Sequence, residues 1–480
     1  MSVKAPMPAR VSCDLVVPLG RIFSTAMRIR DTTGRHGGRS RAAGALIGLR
    51  KHHRGGLRHV GVNSTNGSRT ARTPIMRGIS TSTMATRTTT TSQLSFGFES
   101  SADQCPQPLP VPGHADFLIR ALLQAHLDCR VNKRGSRACI QFEQDLAGNL
   151  VALREALEAG TYRPAPSICF IISRPKFREV WAAAYADRVV HRLLYNQIAE
   201  RFHRSFIADT CACIPGRGTL YAARRLEHHI RSATRNWSRG RTVYYLKCDV
   251  ANFFVSINKN RLRALLAKRI HEPWWMHLAE VILFHDPRPD AIMKSSPVMM
   301  AKVPAHKSLL NQPAHLGLPI GNLSSQFFAN VLLDPLDQFI KHQLHIKGYV
   351  RYVDDFLLLS ESANELNEAL DRIQVFLSEQ LALRLNPSKT ILQPVPRGVD
   401  FVGQVILPWR RKLRKRTRND ALARVATAED DDLVQLANSY FGLFGQATAS
   451  HHDRARLANV LRGRGRTINK QLTKTYRRAA

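Results

Sequence analysis

The sequence predicts an α+β protein. Its centre is a small antiparallel sheet backed by helices on the split βαβ plan, and a basic, low-complexity segment precedes it. Three observations predict this. Beyond residue 241 the runs read strand, helix, strand–strand, helix, strand. Within them, "GYVRYVDDFLLLS" sets two bare carboxylates, Asp354 and Asp355, between two apolar runs. Near residue 100 the composition changes from Arg, Gly, Ser and Thr to a globular mixture.

The length of 480 residues suffices for two or three domains with a sizeable core, and 44% hydrophobic content is that of a globular protein. A formal charge of +35 and a pI near 10.8 are extreme. Such a chain repels itself unless it meets a polyanion, and nucleic acid is the first candidate because each phosphate contact releases counterions. Anionic membrane is the weaker one. No apolar run approaches the ~18 residues that span a bilayer, and the N-terminus lacks a signal-peptide core. The expectation is no membrane partner and a cytoplasmic location. Eight cysteines show no zinc-site spacing, Cys211 and Cys213 being the closest pair, and read as reduced thiols.

Residues 1–100 are Arg-rich and acid-poor, and little in them could bury a face, so they are expected to be mostly disordered. They read as a nucleic-acid-binding arm, as a targeting peptide, or as sequence upstream of a true start such as Met84; the last is favoured. "DFLIRALLQAHLDCR" and "FEQDLAGNLVALREALEAG" have helical spacing, the second ending at Gly160. "ICFIISRPKFREVWAA" reads as a strand pair around a basic turn, and "DRVVHRLLYNQIAERF" as a helix. "RTVYYLKCDVANFFVSI" is a strand running into an aromatic turn. In "SSQFFANVLLDPLDQFIKHQL", Asp334 suits an N-cap and Pro335 the first position of a second helix. The Asp354 hairpin follows, then the helix "ANELNEALDRIQVFLSEQL".

Adjacent aspartates suit a turn by themselves, but a third acid changes the reading. Asp249 ends the strand "VYYLKCD", which the split βαβ plan lays beside the hairpin, so Asp249 and Asp354 are expected to face each other across a strand pair. Buried together without partners they could not both stay ionised. Mg²⁺ resolves this, since it accepts a few carboxylates plus phosphate oxygens, and two ions can clamp an in-line phosphoryl displacement.

At this point the chain resembles a known family. "YVDD" on a hairpin resembles the Tyr-x-Asp-Asp box of reverse transcriptases, and "DVANFFVSI" their preceding aspartate motif. The resemblance covers about Tyr162 to Gly445, with the motifs in the family's order. It implies a right-hand polymerase with fingers, a ferredoxin-like palm and a helical thumb. The implied domains are N-terminal helices and fingers over 101–240, palm over 241–400 with a fingers insertion around 260–318, and primer grip with basic thumb over 401–480. It implies that Asp249 and Asp354 hold two Mg²⁺ ions (Mn²⁺ is an alternative), with Asp355 and the Val250 carbonyl in support. The implied partners are template RNA, a DNA or RNA primer and dNTPs.

Other boxes map residue by residue. Phe254 stands where the family keeps a ring under the sugar, which excludes a ribose 2′-OH sterically. "RPKFREV" looks like the fingers strand that grips the triphosphate, with Lys176 and Arg178 alternating onto one face. Arg188 fits the next box as fingers support. "GLPIGNLSSQ" matches the box under the nascent base pair, Gly321 permitting close approach and Gln326 reaching template or minor groove. Many reverse transcriptases have Gln before that Gly; here it is Ile320. This box is similar to that of diversity-generating retroelements, which copy template RNA with errors at adenines and imply a small basic accessory protein. Retron, abortive-infection and group II intron relatives are the alternatives, and a non-catalytic binding protein on a polymerase scaffold is the rival of another class. "LRLNPSKT" resembles the motif whose Lys, here Lys389, sits near the leaving pyrophosphate as general acid. "VDFVGQVILP", with Phe401 and Gly403, resembles the primer grip. "WRRKLRKRTRN", with Trp409, and "RGRGRTINKQLTKTYRR" mix basic and aromatic residues, as nucleic-acid contacts do.

Overall fold

A computed structural model describes residues 113, 116–173, 176–237 and 241–476, all within one unit. The basic segment of residues 1–100, Met84 included, lies outside the described residues. Helix α1 (Phe117–Arg130) buries Leu118, Leu122 and Ala125, the spacing its sequence shows. The next predicted helix is two, α2 (Arg137–Gln144) and α3 (Leu146–Glu158). Asp145 separates them: it leaves the helical region, and its carboxylate accepts the Gly148 N–H at 3.0 Å. A side chain that caps one helix competes with continuing the other.

The strands β1 (Ile168–Ile172) and β2 (Arg178–Ala182) pair antiparallel as predicted. Lys176, expected on a strand with Arg178, falls instead in the turn before β2. Helix α4 (Tyr185–His203) packs against α1, and α5 (Thr219–Ala233) follows it.

Next comes β3 (Tyr244–Asp249), the short helix α6 (Phe253–Ser256), and helices α7 (Lys259–Ala267) and α8 (Pro273–Phe284). The strand β4 (Ile292–Met293) precedes α9 (Pro297–Met300) and pairs in parallel with β1, giving a three-stranded sheet in the order β2-β1-β4. Helix α10 (Leu323–Gln338) leads to the hairpin β5 (Gly348–Tyr352) and β6 (Asp355–Ser360), then α11 (Ala363–Phe376) and β7 (Ile391–Pro394). These strands form a four-stranded sheet in the order β5-β6-β3-β7, antiparallel throughout, which is the split βαβ plan.

Both faces of this sheet are covered. Leu246, Cys248, Phe356 and Leu358 join the main core, while Tyr245, Leu357 and Leu359 join a second cluster under α5. That is why the run "FLLL" is apolar at every position rather than alternating. Leu357 and Leu358 are both 0% exposed, and each stabilises by roughly 1.5–3 kcal/mol.

Pro335 does not start a new helix. It sits inside α10, which passes through it and continues as a π turn over Phe339–Gln343. The flanking acids hold the helix there. Asp334 accepts from Ser205 Oγ at 3.2 Å and Gln338 Nε2 at 3.1 Å, and buried Asp337 is bound by Arg351. Tertiary contacts outweigh the lost N–H.

Strands β8 (Val399–Phe401), β9 (Gln404–Leu407) and β10 (Arg410–Leu413) form a meander. Helices α12 (Lys415–Thr427), α13 (Asp430–Phe444) and α14 (His451–Gly463) share their own core around Val425, Phe441 and Leu461. Part of the basic run turns inward. Arg411 is buried and paired with Glu227, and Arg414 donates to Asp400, so neither is a free cation. Trp409 remains 63% exposed. Among the described residues no helix is long and apolar enough to cross a membrane, and the six described cysteines are free thiols.

Candidate active site

The register of β3 and β6 sets the carboxylates. Asp249 lies opposite Asp355, one residue away from the expected pairing with Asp354. Tyr352 pairs with Asp355, so Val353 and Asp354 form a two-residue loop. Its first position, Val353, has φ +58°, a conformation β-branched residues avoid. The Val250 N–H donates to the Asp354 carbonyl at 3.2 Å, which closes the loop onto the end of β3. The three carboxylates therefore gather at one end of the two central strands. All three line a single cavity of about 550 Å³.

Two lysines answer part of this charge. Lys389 Nζ donates to Asp249 Oδ1 at 2.5 Å, and the Asn386 N–H to the Asp249 carbonyl at 2.8 Å fixes the turn that carries Lys389. Lys247 Nζ lies 3.1 Å from Asp355 Oδ2 and donates to the Asp400 carbonyl at 2.8 Å. Asp355 Oδ1 is buried with no partner. Burial, reinforced by Asp249, pushes the Asp354 carboxyl up to about 6; burial likewise pushes Asp355 up to about 6 against the pull of Lys247. The two lysines leave one carboxylate oxygen, Asp355 Oδ1, uncovered.

Among the described residues no group of three His, Cys, Asp or Glu side chains forms a ready ion cage. Mg²⁺ does not require one, because it takes one or two carboxylates and completes its shell with water and substrate phosphate. The orphaned Asp355 oxygen and the raised carboxyls fit such an ion.

The cavity walls bring together most of the other predicted residues. Lys176, Arg178, Val250, Phe254 and Ile320 all line it with the three aspartates and Lys389. Phe254 is half-buried, its ring 5.3 Å from that of Phe253, and its carbonyl accepts the Leu318 N–H at 2.8 Å. The Ile320 carbonyl accepts the Trp181 N–H at 2.7 Å, which ties this box to β2.

Five predicted residues stand elsewhere. Gly321 (φ +130°) faces β2: an added Cβ would lie 3.0 Å from the Trp181 carbonyl oxygen, so the close approach is to protein backbone. Gln326 Oε1 accepts a weak bond from Cys213 Sγ at 3.7 Å. Phe401 is 0% exposed in the cluster beneath the sheet. Gly403 closes the β8–β9 hairpin with Val402, both at positive φ as a type I′ turn demands. Arg188, outside the lining, donates to the Ala183 carbonyl at 2.8 Å.

The structure adds residues that the motifs did not indicate. Lys247 was legible: it precedes Asp249 by two on a strand and so shares its face. Lys302 and Lys307, from the segment between β4 and α10, also line the cavity, and nothing local in their sequence pointed there.

A split βαβ sheet backed by helices, with three carboxylates at one end, fits the palm of a right-hand polymerase. Residues 173–406 match the family model described as reverse transcriptase (RNA-dependent DNA polymerase). Those residues thus resemble the reverse transcriptase domain, the domain of RNA-directed DNA polymerases. It is similar to Protein YkfC of Escherichia coli (strain K12), at 24% identity over 340 residues, covering 64% of this chain and 82% of that protein. Solved structures that it matches include apo telomerase from Candida tropicalis truncated from its C-terminal domain, at 13% identity and a TM-score of 0.39, covering 56% of this chain and 60% of that one. Telomerase from Candida albicans in complex with a TWJ fragment of telomeric RNA matches at 11% identity and a TM-score of 0.40, covering 62% of this chain and 55% of that one. The chain thus spans 55–60% of the length of those telomerase chains.

Proposed function

We propose that this protein extends a DNA or RNA primer with dNTPs on an RNA template, by two-metal phosphoryl transfer in the cavity at the end of β3 and the β5–β6 hairpin. The observation that carries the reading is the convergence of Asp249, Asp354 and Asp355 on one cavity with a buried carboxylate oxygen left without a partner. Asp249, Asp354 and the Val250 carbonyl would hold the ions, with Asp355 in support. Bound Mg²⁺ (or Mn²⁺) supplies a lowered pKa for the primer 3′-OH and charge neutralisation at the departing pyrophosphate.

The chain's own groups do the rest. Phe254 bounds the sugar position and excludes a 2′-OH by contact. Lys176 and Arg178 neutralise phosphate oxygens. The 3′ oxygen bonds to the α-phosphorus as the bond to the bridging oxygen of pyrophosphate breaks, the 3′ proton passing to solvent. Lys389 Nζ, once it releases Asp249 Oδ1, is placed to give a proton to that bridging oxygen.

The subtype proposed is the diversity-generating retroelement enzyme, with a structured template RNA, a small basic accessory protein and a cytoplasmic setting. Ile320 supports it: it lines the cavity and has no side-chain hydrogen bond to offer a nucleotide. The test is primer extension on matched RNA and DNA templates with dNTPs or NTPs, followed by sequencing of the products. The expected result is dNTP-dependent copying of RNA with errors at template adenines. Phe254→Ala should admit NTPs at a rate on the order of tenfold or more above wild type. Unaltered sugar choice removes Phe254 from that role, and even error across all four bases removes the subtype.

A further inference from the structure

Strand β2 places Glu179 next to Arg178, with only 4% of Glu179 exposed. Its carboxylate accepts the Trp181 Nε1–H at 3.2 Å, the Leu309 N–H at 2.8 Å and the Ser308 hydroxyl. Two of these donors belong to the segment between β4 and α10. A buried carboxylate satisfied by a distant loop is a tether, because its desolvation is repaid only while the loop stays. The same segment is fastened again beside β1. The Lys294 N–H donates to the Cys169 carbonyl and the Ile171 N–H to Ser295 Oγ, both at 2.9 Å.

These two attachments decide where Lys307 goes. It precedes Ser308 by one residue and lines the cavity that holds Asp249, together with Lys176 and Arg178. Among the described residues Lys176, Arg178 and Lys307 show no ion pair or hydrogen bond from their side chains, although all three are exposed. Their neighbourhood is felt by Lys176, whose pKa is lowered first by Lys389, then by burial, and then by Lys307 and Arg178. Three unpaired cations converging on one cavity suit a compact polyanion better than a strand, whose charges are spaced one per nucleotide.

We propose that Lys307, set in place by the Glu179 tether, lines the nucleotide site beside Lys176 and Arg178 and binds the β- and γ-phosphates together with them. The proposal rests on the polymerase reading above and assigns to its nucleotide site a residue outside every motif of the sequence. Glu179 is a positioning residue for it.

The test uses the full chain and inorganic tripolyphosphate alone, titrated by calorimetry without metal or primer, alongside steady-state extension. Lys307→Gln should weaken tripolyphosphate binding about tenfold and raise KM for all four dNTPs alike, with kcat within about twofold. Lys307→Arg should restore both. Glu179→Gln should raise KM in the same direction, and Lys307→Arg should not rescue it. Lys307 is exposed, so its variants should keep the wild-type melting temperature. Unchanged tripolyphosphate affinity in Lys307→Gln overturns the proposal. So does loss of primer–template affinity at unchanged KM, which assigns Lys307 to the nucleic-acid strand. Should the wild type bind tripolyphosphate through Lys307 yet extend no primer, the polymerase reading falls and the anion site stands.

Discussion

Asp209 and Asp354 are both carboxylates withdrawn from water, and their surroundings drive them in opposite directions. Burial alone would raise Asp209. His229 and Lys341 outweigh it, at 2.7 Å and 2.9 Å, and hold the carboxyl at about 2, with Arg225 closing the cluster at 2.6 Å. Asp354 has burial and the like charge of Asp249 acting together, and stands at about 6. Asp337 repeats the first arrangement: Arg351, itself 0% exposed, binds both its oxygens, and Thr210 and Tyr349 donate to it at 2.6 Å. The lesson is one of completeness. Where the chain supplies its own cations, the carboxylate belongs to the fold; where it stops short, it leaves room for charge that arrives from outside.

The largest effect expected from this contrast is on chemistry. Asp354→Asn should lower primer extension by at least about 10³-fold, roughly 4 kcal/mol of barrier, while primer–template binding is retained. In metal-free buffer the variant should melt no lower than wild type, since it removes a repelling charge. Mg²⁺ should raise the wild-type melting temperature and leave the variant's unmoved. A variant that melts well below wild type without metal would place Asp354 with Asp209, and the contrast would be lost.

The partnered side should respond in the reverse sense. Arg351→Met strands Asp337 in the core and should cost about 3–5 kcal/mol, read by urea unfolding. The double variant Arg351→Met with Asp337→Leu should recover part of that loss, because removing both charges leaves neither uncompensated. Arg351 also donates to the Val353 carbonyl at 3.0 Å, within the loop that carries Asp354. Activity should therefore stay low in the double variant even as stability returns.

This division was half visible in the sequence. The strands were legible because "VYYLKCD" and "FLLL" are apolar runs broken by acids, and the helices between them have clear spacing. That the three aspartates meet followed from the split βαβ order. Their register did not, because a two-residue loop with a Val at positive φ violates the usual turn chemistry. Gly321 and Phe401 stand at the spacing their motifs require, yet both face protein, and spacing says nothing of facing. Glu179 and Lys307 were invisible for a further reason: the contact from Glu179 to Leu309 spans 130 residues, and no local pattern encodes it. Asp209 was equally hidden, since its cations come from α5 and from the π turn after α10.

The smallest effect concerns Asp209, and it probes the contrast most directly. Folding lowers this carboxyl from its ordinary 3.8 to about 2. The resulting stabilisation is complete above the unfolded value and is lost as pH falls through the folded one. At pH 7, Asp209→Asn should therefore cost about 2 kcal/mol, from a shift of nearly two units at 1.36 kcal/mol each. The neutral Asn cannot titrate, so the gap between the two proteins should narrow to about half at pH 3 and close near pH 1. Urea unfolding of both proteins across that range reads it directly. A gap that stays constant with pH would mean the loss is one of packing rather than of charge. A gap of zero at pH 7 would mean that Arg225, Lys341 and His229 around a buried carboxylate only offset its desolvation, and the partnered cluster would then differ from the catalytic one in geometry but not in energy.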